Sequence, residues 1–407
     1  MTEPTIAVAA PSTHRSGLLI IVLAYAAFIG LGLSNSLLGV AWPSIRATFG
    51  LPIDAVGALL FGSTIGYMAA SALSGRLLTQ LRGGVMLSLS CGLGALAFLA
   101  SGGAPSWAIM VALGVLAGAS AGITDGGLNA YAAAHFSPRA MNWLHACFGI
   151  GATLGPAIMT GVIALGLGWR AGYGAVGAIL LLLALAFAFT RQLWTDPPSD
   201  TQADTPAPVR GAPLLETLRL PIAWLGILLF FMYTGAEVGL GNWLFSLLTE
   251  ARGVRPELAG IWVSLYWASL TLGRIVFGVV VSRISPTTLL RGSMLAAVLG
   301  TLLIWANIAS WLTFGGIALM GIALAPQFPL LISATPGFLG PRHAANGVGL
   351  EVASASVGGA LLPSAIGVLA ATYGLEVLGP CLLVAALAMA GLFELLVRRT
   401  NPATQAV

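Results

Sequence analysis

No lysine occurs in this chain; all 17 of its Lys-plus-Arg positions are arginine. Charge of either sign is scarce. Asp and Glu number 13, and charged residues make up 7% of 407. A soluble domain carries about 25% charged residues, so an aqueous fold of this size is excluded. Cysteine is scarce too: Cys91, Cys147 and Cys381 each fall in an apolar stretch, without metal-ligand spacing. They read as small core or lipid-facing residues and are silent on redox compartment. Also missing are His-Glu-x-x-His, a cysteine cluster and a Walker element. Neither an intramembrane enzyme nor an ATP-driven pump is expected, and no cofactor beyond a coupling ion. The net charge of +4 does not point to nucleic acid, because the arginines lie mostly in the loops of one side.

What the chain has in quantity is apolar sequence, with a mean hydropathy of +0.95. A hydrocarbon core about 30 Å thick needs roughly 20 apolar residues per helix. About twelve such runs are present, near 18–42, 55–80, 84–103, 107–134, 140–165, 170–190, 220–248, 258–282, 287–307, 311–335, 344–370 and 376–397. The polar stretch before them, with Pro4 and Pro11, does not read as a cleavable signal, so the first run is expected to be a retained helix. Arg191–Leu218 is the one clearly solvated segment, rich in proline (Pro197, Pro198, Pro206, Pro208, Pro213) and acid (Asp196, Asp200, Asp204, Glu216). It divides the chain into a bundle at 1–190, a linker at 191–218 and a bundle at 219–407. Within the tenth run, Pro326 and Pro329 are expected to break the helix and let it bend.

The two halves look related. Gly57 pairs with Gly260 at the same offset, and Gly151-Ala-Thr-Leu-Gly-Pro156 matches Gly358-Gly-Ala-Leu-Leu-Pro363. A parallel repeat with a substrate site between halves is a transporter arrangement. The expected fold is all-α, twelve transmembrane helices in two pseudo-repeated six-helix bundles. Arginine bias sets orientation. With both termini cytoplasmic, the inner side holds Arg15, Arg82, Arg139, Arg191, Arg210, Arg219, Arg283, Arg291, Arg342, Arg398 and Arg399; the outer side holds Arg46, Arg170, Arg252 and Arg255.

Asp125 is the most informative residue, in Gly122-Ile-Thr-Asp-Gly-Gly-Leu-Asn129 of the fourth run. A carboxylate at bilayer depth costs about 2.5–3.5 kcal/mol unless it faces a cavity or partner. Asn129, four residues on, shares its helix face. Glu237 and Glu351 are placed similarly in the second half, and three such acids suggest a transport pathway. His145 either shares a proton with Asp125 or packs. Asn129, Asn142 and Asn242 can each donate and accept, as a hydroxyl-rich neutral substrate requires. Trp243 offers a flat apolar face suited to a sugar ring, with helix packing as the alternative. Arg274, the only arginine well inside a helix, either neutralises an acid or sits near the mouth, in a gating or structural role.

Twelve runs, a central linker, and Gly75-Arg76 and Gly278…Arg283 after the second and eighth runs resemble the major facilitator superfamily, although Thr79 and Gln80 depart from its loop pattern. The sharper resemblance is to the fucose–proton symporter and sodium-dependent glucose transporter-like family. It is carried by Asp125-Gly-Gly-Leu-Asn129, Asn142-Trp-Leu-His-Ala-Cys-Phe-Gly-Ile-Gly-Ala-Thr-Leu-Gly-Pro156, Tyr233-Thr-Gly-Ala-Glu237 and Asn242-Trp243. The resemblance implies that Asp125 and Asn129 serve coupling and sugar recognition. One departure is plain: where the pattern has a second acid in the first helix, this chain has Gly39, with Asn35 nearby. The expected activity is cation-coupled transport of a small neutral solute, a sugar with the proton as first choice of ion and sodium as second, by a monomer in a bacterial inner membrane. A proton-coupled exporter of drugs or metabolites is the alternative, favoured by Gly151-xxx-Gly155-Pro156. Asp125, Glu237, His145 and Glu351 are the coupling candidates. Asn35, Asn129, Asn142, Asn242 and Trp243 are the substrate-binding ones, and Arg274 is the gate.

Overall fold

The computed structural model describes residues 13–194, 212–280 and 283–400. The N-terminal segment, the linker positions 195–211 with most of its prolines and acids, and Ser282 lie outside the described residues.

With no water in hydrocarbon, the backbone must satisfy itself, which leaves helices as the spanning element here. The order is α1 (Thr13–Phe49), α2 (Val56–Gln80), α3 (Gly83–Gly102), α4 (Trp107–His135), α5 (Pro138–Ala164), α6 (Gly168–Thr190), α7 (Leu214–Leu218), α8 (Pro221–Ser246), α9 (Pro256–Val280), α10 (Pro286–Ala306), α11 (Ser310–Leu324), α12 (Gln327–Leu339), α13 (Ala344–Tyr373) and α14 (Leu378–Thr400). Among the described residues, twelve spans are long and apolar enough to cross a membrane. The tenth is broken at Ala325–Pro326 into α11 and α12, where the proline was expected to bend it. The starts of α4, α5 and α10 are capped by Ser106, Ser137 and Ser285, whose hydroxyls accept from the amide three residues on.

The same helix pairs recur in each half. α1 packs on α5 as α8 packs on α13, α3 on α6 as α10 on α14, and α2 on α4 as α9 on α11. The matched glycines play matched parts. A Cβ on Gly151 would overlap the Ile29 carbonyl of α1, and one on Gly358 the Phe231 carbonyl of α8. Small residues let backbones approach this closely, which is how helices associate in lipid. α2 and α4 show it best: Gly114, Gly118, Gly122 and Gly126 lie against Leu59, Ser63, Tyr67 and Ser71–Ser74, a parallel register held over about three turns.

An even number of spans separates Thr13 from Thr400, so both lie at one end, here termed the terminal end; the opposite end is the distal end. The halves meet through α2 on α13, α5 on α9 and α1 on α8. Gly57 at the start of α2 abuts Ser364, and its counterpart Gly260 at the start of α9 abuts Thr160. Gly39 meets the Gly241 carbonyl and Asn242, and Gly149 meets Thr271. At the distal rim Arg46 Nη2 reaches Glu250 Oε2 at 2.6 Å, joining the two halves. Glu250 sits in a π-helical turn, Leu247–Ala251, that follows α8. The contacts at Gly57, Gly260, Gly39 and Arg46 close the distal end, and Gly149 on Thr271 joins the halves near mid-span.

Candidate functional site: the cleft between the halves

One turn from the Gly39–Gly241 and Gly149–Thr271 contacts, toward the terminal end, stand polar side chains. Asn35 is four residues from Gly39 on α1, Glu237 four from Gly241 on α8, His145 four from Gly149 on α5, and Arg274 three from Thr271 on α9. Helical spacing puts each on the face that met the other half. Asn142, one further turn from His145, shares that face. Asn35, Asn142 and His145 are exposed although they lie in membrane-spanning helices. Arg274 is 28% accessible. The halves therefore diverge beyond the contacts and leave a cleft open toward the terminal end.

In the N-terminal half, Asp125 anchors the site. Tyr67 donates its hydroxyl to Oδ2 at 2.5 Å, and Asn129 donates Nδ2 to Oδ1 at 2.9 Å. Each carboxylate oxygen thus has one donor. The remaining Asn129 Oδ1 is buried with no hydrogen-bond partner. His145 lies within Coulomb range of Asp125 on one side and of Arg274 on the other. Its ring meets Phe28 edge-on, with centroids 5.6 Å apart.

In the C-terminal half, Arg274 Nη2 pairs with Glu237 Oε1 at 3.7 Å. Tyr266 donates to the Glu237 carbonyl at 2.9 Å, and Tyr233 stands beside both charges. Several buried polar atoms here lack partners: Tyr233 Oη, Arg274 Nε and Trp267 Nε1. An orphaned buried donor or acceptor costs about 1–3 kcal/mol, so a group of them beside a cleft marks where a polar ligand or its water would be received.

The structure thus brings together Asp125, Asn129 and His145 from one half with Glu237 and Arg274 from the other, and sets Asn35 and Asn142 on the cleft-facing surfaces. Three candidates fall elsewhere. Trp243 is 1% exposed, its Nε1 donates to the Pro363 carbonyl at 2.8 Å, and its ring packs on Gly367. It locks α8 to α13 and presents no face to a ligand, which corrects the sugar-stacking expectation in this conformation. Asn242 is buried where α8 meets Gly39, within the closing contact. Glu351 is 5% exposed, accepts from Thr335 at 2.7 Å and lies against Gly226. Gly226 is 11 residues from Glu237 on the same helix, about 16 Å at helical rise, so Glu351 joins α8, α12 and α13 apart from the others. Sequence reasoning passed over Tyr67, Tyr266 and Trp267. For Tyr67 a signal existed: Gly118, Gly122 and Gly126 at four-residue spacing in the fourth run face Ser63, Tyr67 and Ser71–Ser74 at a similar spacing in the second.

A family model described as Major Facilitator Superfamily matches residues 24–300. The chain belongs to the Major Facilitator Superfamily. It is accordingly a membrane transporter and not an enzyme. Among curated proteins, the transporter is 23% identical over 349 residues to the glucose/mannose transporter GlcP of Bacillus subtilis, covering 84% of this chain and 86% of that protein. It is 30% identical over 171 residues to Bypass of stop codon protein 6 of Saccharomyces cerevisiae, 40% of this chain, and spans only 34% of that protein's length. Among solved structures, a D323A mutant of the nucleoside transporter NupG superposes with a TM-score of 0.77 at 16% identity over 94% of this chain and 99% of that one. The outward conformation of FucP superposes with 0.62 at 19% identity over 95% of this chain and 100% of that one. At such identities these likenesses speak for the fold.

Proposed function

We propose that this facilitator moves a small neutral polyhydroxylated solute, a sugar, by alternating access coupled to a proton. The observation that carries the reading is the polar constellation of the cleft. A carboxylate held by two donors in one half faces, through His145, an Arg–Glu pair in the other. A residue that couples an ion to alternating access must sense both halves, and His145 feels the charges of Asp125 in one half and Arg274 in the other. The orphaned hydroxyl, amide and indole atoms supply neutral hydrogen-bonding groups of the kind a sugar uses. Similarity to a named glucose/mannose transporter over most of both chains supports the sugar class.

The donor set favours a proton over sodium. Asn129 turns its NH2 toward Asp125 and Tyr67 turns its O–H, so the carboxylate is met by donors. A metal cation needs converging oxygen lone pairs instead. The proposed orientation has both termini and the linker cytoplasmic, following the arginine bias. In that orientation the cleft opens inward.

The test is flux into proteoliposomes with a panel of hexoses, nucleosides and cationic drugs, each with and without an imposed pH gradient. Gradient-driven uptake of a hexose is expected. Uptake of nucleosides alone, or drug extrusion, would replace the sugar reading. Indifference to the pH gradient with dependence on sodium would replace the proton. Impermeant labelling of a cysteine placed in the linker fixes the orientation.

A further inference from the structure

We propose that Tyr67 is a positioning residue for Asp125, fixing its rotamer and setting the pH at which it exchanges its proton. This rests on the reading of Asp125 as the coupling acid.

Three observations place Tyr67 in that role. Its hydroxyl donates to Asp125 Oδ2 at 2.5 Å, in the range of charge-assisted O–H···O⁻ bonds. Its backbone is not free to move: a Cβ on Gly122 would overlap the Tyr67 carbonyl, and a Cβ on neighbouring Gly66 would overlap the Val115 carbonyl. α2 and α4 therefore interlock from both sides next to this residue. From that fixed Cα, a phenol with two side-chain torsions reaches the acid one turn beyond Gly122. The carboxylate is thereby bridged to α2, a helix that also seals the distal end through Gly57 on Ser364.

The other groups facing Asp125 are few. From its own helix Asn129 donates to Oδ1. From α5 His145 interacts through its charge, with Arg274 of α9 behind it. α3 carries one titratable side chain, Cys91, beside Thr124. α1 carries none between Tyr25 and Arg46. Tyr67 and Asn129 are thus the direct donors to the carboxylate, and Tyr67 is the one that anchors it to another helix. Each donor favours the ionised acid over the protonated one, because only the carboxylate accepts both.

The experiment is Tyr67→Phe, which keeps the ring and its packing while removing the donor. Proton exchange is read without substrate, by the pH titration of the carboxyl infrared band in reconstituted protein, as the difference between parent and Asp125→Asn. The same difference is then taken in the Tyr67→Phe background. The midpoint is expected to move upward by about one pH unit, a tenfold change in proton affinity. The pH profile of gradient-driven hexose uptake should move with it, while exchange at low pH stays near the parent's. If the Asp125 band titrates but Tyr67→Phe leaves its midpoint in place, this inference is overturned and the coupling reading stands. If no Asp125-dependent band titrates at all, the coupling reading itself fails. A uniform fall in uptake at every pH with an unmoved midpoint would mark Tyr67 as packing only.

Discussion

Arg46 and Glu250 bridge the halves at the distal rim, and their removal should open that end in a measurable way. The nitrogen and oxygen are 2.6 Å apart, and the two side chains are 26% and 30% accessible. Bare Coulomb attraction at that distance is a few kcal/mol, but exposed ion pairs net only about 0–1 kcal/mol after solvation and side-chain entropy. Taking the upper end, about 1 kcal/mol, either Arg46→Ala or Glu250→Ala should raise the distal-open population about fivefold. Thr160→Cys is a suitable reporter, because Thr160 lies under Gly260 in the distal closure and its hydroxyl is buried without a partner. In nanodiscs, with Cys91, Cys147 and Cys381 replaced by serine, maleimide labelling of this cysteine should accelerate about fivefold in each single variant. The double alanine variant should match the singles instead of multiplying them, and the swap Arg46→Glu with Glu250→Arg should recover much of the parent rate. At about 1 M salt, where the Debye length is about 3 Å, the difference between parent and variants should shrink. A double variant about 25-fold faster than the parent, the product of two independent effects, would refute the bridge as the cause.

Gly39→Ala should separate folding from function: the added methyl would overlap the Gly241 carbonyl across the two halves, so distal closure is lost and counterflow of the transported solute falls at least tenfold. Expression and thermal stability of that variant should stay near the parent's, because the contact lies between the bundles. Trp243→Ala should do the opposite, losing about 3–5 kcal/mol as a fully buried aromatic, seen as a lower melting temperature with unchanged affinity for the transported solute in the protein that survives. Asp125→Asn should retain counterflow and lose accumulation against a gradient, and a variant that still concentrates substrate at every pH tested would move the coupling site to Glu237.

Much of the fold follows from length and hydropathy alone. Spans of about twenty apolar residues admit one structure in lipid, so the twelve runs were readable without any tertiary reasoning. The proline break in the tenth span was equally local. In the site, what was readable was likewise local: Asp125 and Asn129 are four residues apart, and their hydrogen bond needs only a helix. What was missed depends on register between helices. Tyr67 reaches Asp125 across 58 positions of sequence, and only the alignment of α2 on α4 makes them neighbours. Trp243 erred in the same way, since its position near Glu237 gave depth but not direction, and the Pro363 carbonyl on α13 decided where its indole points. Glu351 shows that an acid inside a bundle can serve packing among α8, α12 and α13 as readily as a pathway.

The contacts between the halves at Gly39, Gly57, Gly149 and Gly260 carry a consequence for how such a chain tolerates variation. Each abuts the opposite half with hydrogen where every other residue has carbon. A mutational scan scored by abundance should pass small replacements at these four positions, whereas the same scan scored by growth on the transported solute should reject them. Gly118 and Gly122, which pack inside one bundle against Ser63 and Tyr67, should fail both screens. The disagreement between the two scores would draw, residue by residue, the surface along which one half travels over the other.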